Sequence, residues 1–581
     1  MMAKAASKSE TELKPHYSVL IIGAGINGAG LFRDLCLQGV DCLLIDRGDI
    51  CEGASAAPSR LIHGGIKYLE TGEFRLVKES AMERNRLLRN APHFVKPLET
   101  VVPVRSWLGG IMPSALRFLG FNTKLADRGA VITEIGLRIY DAFSRKVQAL
   151  PDHRFFGPKR LRGEYPGFSK DVVAAGLYYE GRITHAERLG LELVMDGLAA
   201  NTKSALRTYT TATRGTKPNE FVLADSITLE SASITADVII NAGGAWIDKV
   251  NAGLGISSSH IGGSKGSHLI VDHPELVAAL KGRMIYFGTA DGRVNLVYPF
   301  FGHVLIGATD IAVNDPDEAS CSPEETQYLI NVIREIMPEI QISPKQILLS
   351  YCGVRPLPRS TGKDIGTVSR DHAIARDQLP GTNIPVLSLI GGKWTTFRAF
   401  AAQSADVVLQ QLGKARLCHT DDLAIGGGKS YPKDPVGRDE FITKIATLFS
   451  LSVERARTLF DRYGTTASTV AASLVTDNDR LLASLPAYTI GEAVFICRTE
   501  HVRRLSDLLL RRTAIAMEGG LSIALVHEVA QIAGEILGWS KSRTETEITL
   551  AIAEMKKRAV HEIASVKLNP KNMQETKAHA D

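Results

Sequence analysis

Ser18–Asp46, SVLIIGAGINGAGLFRDLCLQGVDCLLID, reads as one strand, one glycine turn, one helix and a second strand. Val19–Ile22 is a short continuous apolar run, the pattern of a strand buried on both faces, and glycine interrupts it at once. Gly23, Gly25 and Gly28 complete GxGxxG. In such a turn the first glycine allows the tight bend, the second lets backbone approach a pyrophosphate, and the third lets the helix lie close to the sheet. Leu31 and Leu35 fall on one helical face, Gly39 supplies the left-handed stop, and the helix N-terminus offers its positive dipole to phosphates. Asp46 closes the second strand, about twenty residues on, where a carboxylate accepts hydrogen bonds from the ribose of an unphosphorylated adenosine. Strand, glycines, helix, strand and acid together predict a dinucleotide-binding βαβ unit.

Outward from this unit, 581 residues with 44% hydrophobic content are enough for a large core divided into two or three domains, and they exclude a disordered chain. A net charge of +5, from 68 basic and 63 acidic residues, gives no reason to expect nucleic acid as a partner. Seven cysteines without a CxxC pair or metal-ligand spacing predict free thiols, no metal and a cytosolic, reducing setting. Residues 1–16 read as a loose tail without the apolar core of a signal peptide, and no window reaches the length of a membrane span. Peripheral attachment to a membrane stays open.

After Asp46 comes RGDICEGASAAPSRLIHGGIKYLE, in which small residues and hydroxyls precede His63 and the pair Gly64–Gly65. Small residues let backbone approach a flat or anionic ligand; the alternative is a surface turn with a capping histidine. RLIHGGIKYLE, with EFRLVKESAMERNRLL close behind, resembles the FAD-dependent, quinone-linked glycerol-3-phosphate dehydrogenase family, whose pattern is close to KLIHGGLRYLE. The resemblance implies that the dinucleotide is FAD. It places Lys67 and Tyr68 where an Arg-Tyr pair of the family holds the substrate phosphate, and lysine there keeps the charge but loses the bidentate fork. Ser55 and Ser59 stand in the place of the family's serine-rich run, as candidate flavin contacts.

Further motifs follow in the family's order. DVIINAGGAWIDKV, Asp237 to Val250, predicts a buried strand running into Gly243 and Gly244, a second glycine turn that resembles the family's NATG. IGGSKGSHLIV places Lys265 and His268 beside glycines and resembles KGSH. A histidine titrates near neutrality, so His268 suits donation to a phosphate or removal of a hydroxyl proton. VYPFFGHVLIGATD, Val297 to Asp310, predicts a hairpin. In SYCGVRPLPRS and SRDHAI, Arg355 and Arg370 suit an anion and match arginines of the family's substrate site. LSLIGGKWTTFRAFA gives a strand, Gly391–Gly392, Lys393, then Thr395 and Thr396 opening a helix, and resembles FGGKLTTYR. A helix N-terminus there suits charge developing at the pyrimidine end of a flavin.

Two stretches resist assignment. WLGGIMPSALRFLGFNTKL, from Trp107, lies in a 106–134 insertion relative to the family and fits either a pocket cap, the favoured reading, or a membrane-interface segment. EHVRRLSDLLLRRT, Glu500 to Thr513, reads as a basic amphipathic helix for an anionic membrane surface or as arginines paired within the chain.

The expected architecture is α/β: a Rossmann-like FAD-binding domain interleaved with a mixed α+β substrate domain over 17–415, a helical domain over 416–560 and a polar tail over 561–581. By resemblance, hydride passes from C2 of sn-glycerol 3-phosphate to flavin N5, dihydroxyacetone phosphate departs, and electrons pass to a quinone at the inner face of the cytoplasmic membrane. His63, His268, Arg355 and Lys393 are the candidates for proton transfer and orientation, with Lys67, Tyr68 and Arg370 at the phosphate. Gly23, Gly25, Gly28, Asp46, Ser55, Ser59, Gly243, Gly391, Gly392 and Thr395 are the candidates for the cofactor. Another polyol phosphate such as erythritol phosphate, an oxygen-using oxidase, a non-catalytic flavin-binding sensor and a dimeric assembly all stay open.

Overall fold

The computed structural model of the chain describes residues 13–66, 73–109, 129–144, 150–359, 371–475 and 479–558. His16–Ile22 is a strand, Ile26–Leu37 a helix and Cys42–Ile45 a parallel second strand, with Leu20 opposite Leu43. Val19 and Ile21 enter one core with Leu31 and Leu35 of the helix, whereas Leu20 and Ile22 enter another. The run is continuously apolar because both sides of the strand are covered. Gly39 ends the helix at φ +72°.

The chain leaves this sheet and returns. Ser231–Asn241 pairs parallel with the first strand on its other side, and Pro385–Ile390 pairs parallel with Ser231–Asn241. Ala205–Arg207 lies beyond Cys42–Ile45, and Ala373–Gln378 is the antiparallel edge. Helices Ile26–Leu37, Ala186–Ala200 and Phe397–Gln411 bury their apolar residues on one face. Three adjacent parallel strands therefore finish side by side at Ile22, Asn241 and Ile390, and a glycine turn follows each. Crevices outside the carboxyl ends of such strands are where open α/β sheets bind ligands.

Between these visits the chain builds a second, ten-stranded sheet in which Ser264–Val271 lies between His303–Gly307 and Ile347–Arg355. The predicted hairpin is Val294–Phe300 with His303–Gly307. Val95–Val104 and Ala174–Ile183 continue the sheet to Leu61–Ile62, which carries the chain into His63.

The C-terminal part is helical, from Pro435–Leu448 to Lys541–Lys557. It is packed against the second sheet: Leu505, Leu508, Leu525 and Val529 share one core with Tyr298, Leu305, Leu349 and Tyr351. This packing decides the open reading of Glu500–Thr513 in favour of arginines paired within the chain. The helical part is short, Leu505–Asp507 followed by a π turn over Leu508–Arg512, and Arg511 and Arg512 are each 2% exposed. Arg503 pairs with Asp225, Arg504 with Glu547, and both Arg511 and Arg512 with Asp49. The leucines between them belong to the core, so the arginines cannot all reach solvent, and buried guanidiniums require acidic partners. Among the described residues no helix is long and apolar enough to cross a membrane. All seven cysteines are free thiols.

Candidate active site

Gly23 stands at φ +111°, and a Cβ on it would press on the Ala242 carbonyl of the neighbouring glycine turn. A Cβ on Gly28 would overlap the Gly23 carbonyl oxygen, so the helix lies against the strand only because that side chain is missing. At Gly25 a Cβ would meet nothing except the Ser55 hydroxyl at 3.3 Å, which leaves open space above the turn. Ser55 Oγ accepts the first helical N–H, from Ile26, at 2.9 Å, and its carbonyl accepts from Trp394 Nε1 at 3.1 Å. Ser55 thus joins the first glycine turn to the third.

Asp46 braces the same region. Its carboxylate accepts from the Ala24 N–H at 2.6 Å and the Gly48 N–H at 2.8 Å. Burial pushes its pKa up against those two donors. Gly391 and Gly392, at φ +74° and +85°, make the third turn, and Asn27 Nδ2 donates to the Gly391 carbonyl at 3.0 Å. Thr395 Oγ1 accepts the His63 N–H at 3.1 Å, which ties the His63 loop to this turn. Beneath that loop, Glu180 accepts from the Gly64 N–H and from Tyr140 and is paired with the buried Arg84.

These groups line one cleft of about 2340 Å³, bounded also by the second sheet. On its far wall His268 is 1% exposed, its ring stacked 4.9 Å from Tyr351 and its Nε2 2.7 Å from Ser59 Oγ. Burial first, then the Arg355 and Arg60 cations, hold its pKa down to about 3, so the imidazole is neutral in ordinary buffers. Two residues earlier on the strand is Gly266, where a Cβ would overlap the Arg355 guanidinium. Arg355 donates to the Thr309 carbonyl at 3.1 Å and to Asp310 at 3.2 Å. Lys393 Nζ donates to Ser80 Oγ at 2.8 Å.

His63, His268, Arg355 and Lys393 therefore come to one cleft, together with Gly23, Gly25, Asp46, Ser55, Ser59, Gly243, Gly391, Gly392 and Thr395. Gly28 lies behind the turn as a packing position. Lys265 is turned elsewhere and pairs with Glu325 at 2.6 Å. Lys67, Tyr68 and Arg370, and 110–128 of the insertion, lie outside the described residues.

The cleft passes the test of a flavin dinucleotide on its own features. It connects a phosphate-type glycine turn and a ribose-type acid to a wall with a neutral base and a cation. Two buried polar atoms on its lining, Asn27 Oδ1 and His268 Nδ1, have no hydrogen-bond partner. Such atoms are costly unless a ligand or water meets them.

Comparison with known proteins agrees. A family model described as FAD dependent oxidoreductase matches residues 18–394, and one described as C-terminal domain of alpha-glycerophosphate oxidase matches 418–544. A glycerol-3-phosphate dehydrogenase of Synechocystis sp. is 31% identical over 92% of this chain and 95% of its own. The chain belongs to the FAD-dependent glycerol-3-phosphate dehydrogenase family. An aerobic glycerol-3-phosphate dehydrogenase of Staphylococcus aureus is 27% identical over 93% of this chain and 94% of its own. The fold matches the X-ray structure of the glycerol-3-phosphate dehydrogenase from Bacillus halodurans complexed with FAD. The TM-score is 0.72 with 20% identity, over 95% of this chain and 97% of that one.

As a member of this family the protein is an FAD-dependent oxidoreductase. Sequence reasoning missed several cleft residues. Asn27 sits inside GxGxxG, where only the glycines carry a signal, and Asp310 was visible only as a turn residue. Trp246, with the Arg47 guanidinium 4.4 Å over its ring and its Nε1 2.7 Å from Asp317, had no signal, because its partners come from two distant segments. Gly266 had one: it precedes His268 by two residues, which puts both on the same face of a strand.

Proposed function

We propose that the protein oxidises sn-glycerol 3-phosphate at C2 to dihydroxyacetone phosphate and delivers the electrons to a quinone from the cytoplasmic face of the membrane. The observation that carries the reading is the pairing of a neutral histidine with a cation on one strand face. Arg355 lies over Gly266, and His268 is roughly 7 Å further along the strand by its rise of about 3.3 Å per residue. That span suits a short phosphate ester, with the phosphate on the guanidinium and the C2 hydroxyl at the histidine.

Each side chain then has a task at a stated atom. Arg355 binds the phosphate oxygens through its fork, and Lys393 adds charge on the opposite side of the cleft. His268, unprotonated, accepts the C2 hydroxyl proton, and Ser59 orients the imidazole through Nε2. His63, held by Thr395 through its backbone, stands where the substrate and cofactor parts of the cleft meet. FAD, when bound, supplies the acceptor for the hydride that leaves C2. Lys67, Tyr68 and Arg370 complete the phosphate site in this reading.

The membrane part rests on a different feature from the arginines of Glu500–Thr513. Helix Ala130–Ser144 exposes Val131, Ile135 and Ile139, four residues apart on one face, and Trp107 and Leu108 are exposed beside its first turn, where the Val131 N–H donates to the Trp107 carbonyl at 3.4 Å. A row of this kind suits shallow insertion between lipid headgroups. Anaerobic mixing with glycerol 3-phosphate, erythritol phosphate and glycerol, while flavin absorbance is followed, tests the substrate. Bleaching by glycerol alone, or by none of the three, would overturn it. Turnover with a soluble quinone analogue, set against peroxide formation in air, decides the acceptor.

A further inference from the structure

Immediately after Asp46 the chain runs Arg47, Gly48, Asp49, Ile50, Cys51, Glu52, and this loop is anchored from outside the nucleotide sheet. Asp49 is fully buried. Arg512 grips it with two prongs, Nη1 to Oδ2 at 2.6 Å and Nη2 to Oδ1 at 2.8 Å, and Arg511 Nε adds a third bond to Oδ2 at 2.7 Å. Burial alone would raise the Asp49 pKa, but the Arg512 and Arg511 charges outweigh it and keep the carboxylate ionised.

The arginines are themselves fixed. Arg511 Nη2 donates to Asp507 at 2.7 Å, and Tyr209 Oη donates to the same Asp507 oxygen at 2.5 Å. Arg512 Nε donates to the Glu500 carbonyl at 2.8 Å. Arg188 grips the Glu500 carboxylate through both Nη atoms and reaches the Arg512 carbonyl at 2.7 Å. Tyr209 closes the circuit, because its N–H donates to the Gly48 carbonyl and the next N–H, from Thr210, donates to the Asp46 carbonyl at 2.7 Å.

Stability does not account for so many buried charges. Taking ions out of water costs nearly all that their pairing returns, and apolar residues of like volume often serve as well or better. What such a lattice gives is one fixed arrangement. Its form points the same way. Consecutive residues of a helix diverge by about 100°, yet the two neighbouring guanidiniums at the end of the π turn over Leu508–Arg512 meet on one carboxylate. Turns of this kind recur at functional sites. The helical part also reaches the cleft directly: Arg504, with its guanidinium 5.1 Å over the Tyr209 ring, and Arg558 both line it, next to Glu52, Tyr209 and Asp46 from the nucleotide side.

We infer that the Arg511–Arg512–Asp49 lattice is a cofactor-positioning device, through which the C-terminal helices hold the Asp46–Glu52 loop in the shape that grips the adenosine end of FAD. Asp49, Arg511 and Arg512 are positioning residues in this scheme and touch no cofactor atom. The C-terminal helices, whose Arg511 stands 462 residues beyond Asp49, thereby set how tightly the nucleotide is kept.

The test is the rate of FAD release from diluted holoenzyme, followed by the recovery of free-flavin fluorescence, with far-ultraviolet circular dichroism reporting the fold. Asp49→Asn removes the ionised anchor, Arg512→Lys keeps the charge and loses the two-pronged grip, and Glu492→Gln breaks a buried pair with Arg455 and Arg462 elsewhere among the C-terminal helices. Release at least tenfold faster in Asp49→Asn, intermediate in Arg512→Lys and unchanged in Glu492→Gln is the expected result. The visible circular dichroism of the flavin still bound should stay as in the parent, because the altered grip is at the other end of the molecule. Release at the parental rate in folded Asp49→Asn would overturn the inference, as would equal acceleration by Glu492→Gln. If Asp49→Asn does not fold, Arg512→Lys decides by the same two comparisons.

Discussion

Two arginine sites of this protein look alike on paper and behave in opposite ways. Arg355 comes from a polar strand end, lies over a glycine on a cleft wall and keeps a quarter of its side chain exposed, with Asp310 beside it. Arg511 and Arg512 come from a leucine-rich stretch and are sealed between Asp49, Asp507 and Glu500. The difference lies in what surrounds the charge. A partly exposed cation at a cleft wall can be reached by a ligand, whereas a cation sealed among buried carboxylates acts through the position of its neighbours.

The sharpest way to break this contrast is to remove one charge from each site and measure stability. Arg512→Met leaves Asp49 buried and short of its two-pronged partner, and should cost about 3–5 kcal/mol in chemical denaturation. Arg355→Met should cost at most about 1 kcal/mol, as partly exposed pairs do. Equal losses would mean that both arginines are structural.

The same pair is then read through the substrate. Arg355→Met should lower kcat/KM for glycerol 3-phosphate by about 2–5 kcal/mol of lost interaction, while hardly affecting an unphosphorylated polyol. A uniform loss across both substrates would remove Arg355 from the phosphate.

Acid sharpens the contrast further. Next to Arg512 lies His501, whose pKa is held down to about 4 by burial first and then by the Arg512 charge. Unfolding frees it to bind a proton near its ordinary pKa of about 6.5. The unfolded state therefore holds more protons between pH about 6.5 and about 4, and stability should fall across that window as pH drops, by up to about 1.4 kcal/mol per pH unit from this residue. Asp49 adds nothing to the loss there, since its lowered pKa keeps its contribution in place until more acid conditions. His501→Asn should flatten the slope. An unchanged slope would place the acid sensitivity in other histidines, of which His268 and His185 are also held low by burial.

The smallest effect expected is that of salt on the proposed membrane attachment. With the Glu500–Thr513 arginines paired internally, raising salt from about 0.1 M to about 0.5 M, which shortens the screening length from about 10 Å to under half that, should change vesicle sedimentation less than about twofold. Ile135→Ser with Ile139→Ser should reduce it more than salt does. Strong salt dependence would show that another basic surface carries the attachment.

The sequence was most legible where chemistry and backbone geometry coincide. GxGxxG between Ile22 and Asp46 demands one conformation, and side chains are excluded by space at Gly28 and by φ as well as space at Gly23. The same held for Gly391–Gly392 and for the strand carrying His268, where local pattern and family motif agreed.

What the sequence by itself determined, then, was the order of strands, turns and helices and the kind of ligand their ends invite, because these depend on residues close together in the chain. The tertiary structure alone decided the fate of each charge. It turned Lys265 away to Glu325, buried Arg511 and Arg512 on Asp49, and left His268 neutral behind Ser59 and Arg355. Protonation and pairing follow from burial and from partners hundreds of residues distant, and neither is written in the local pattern of a chain.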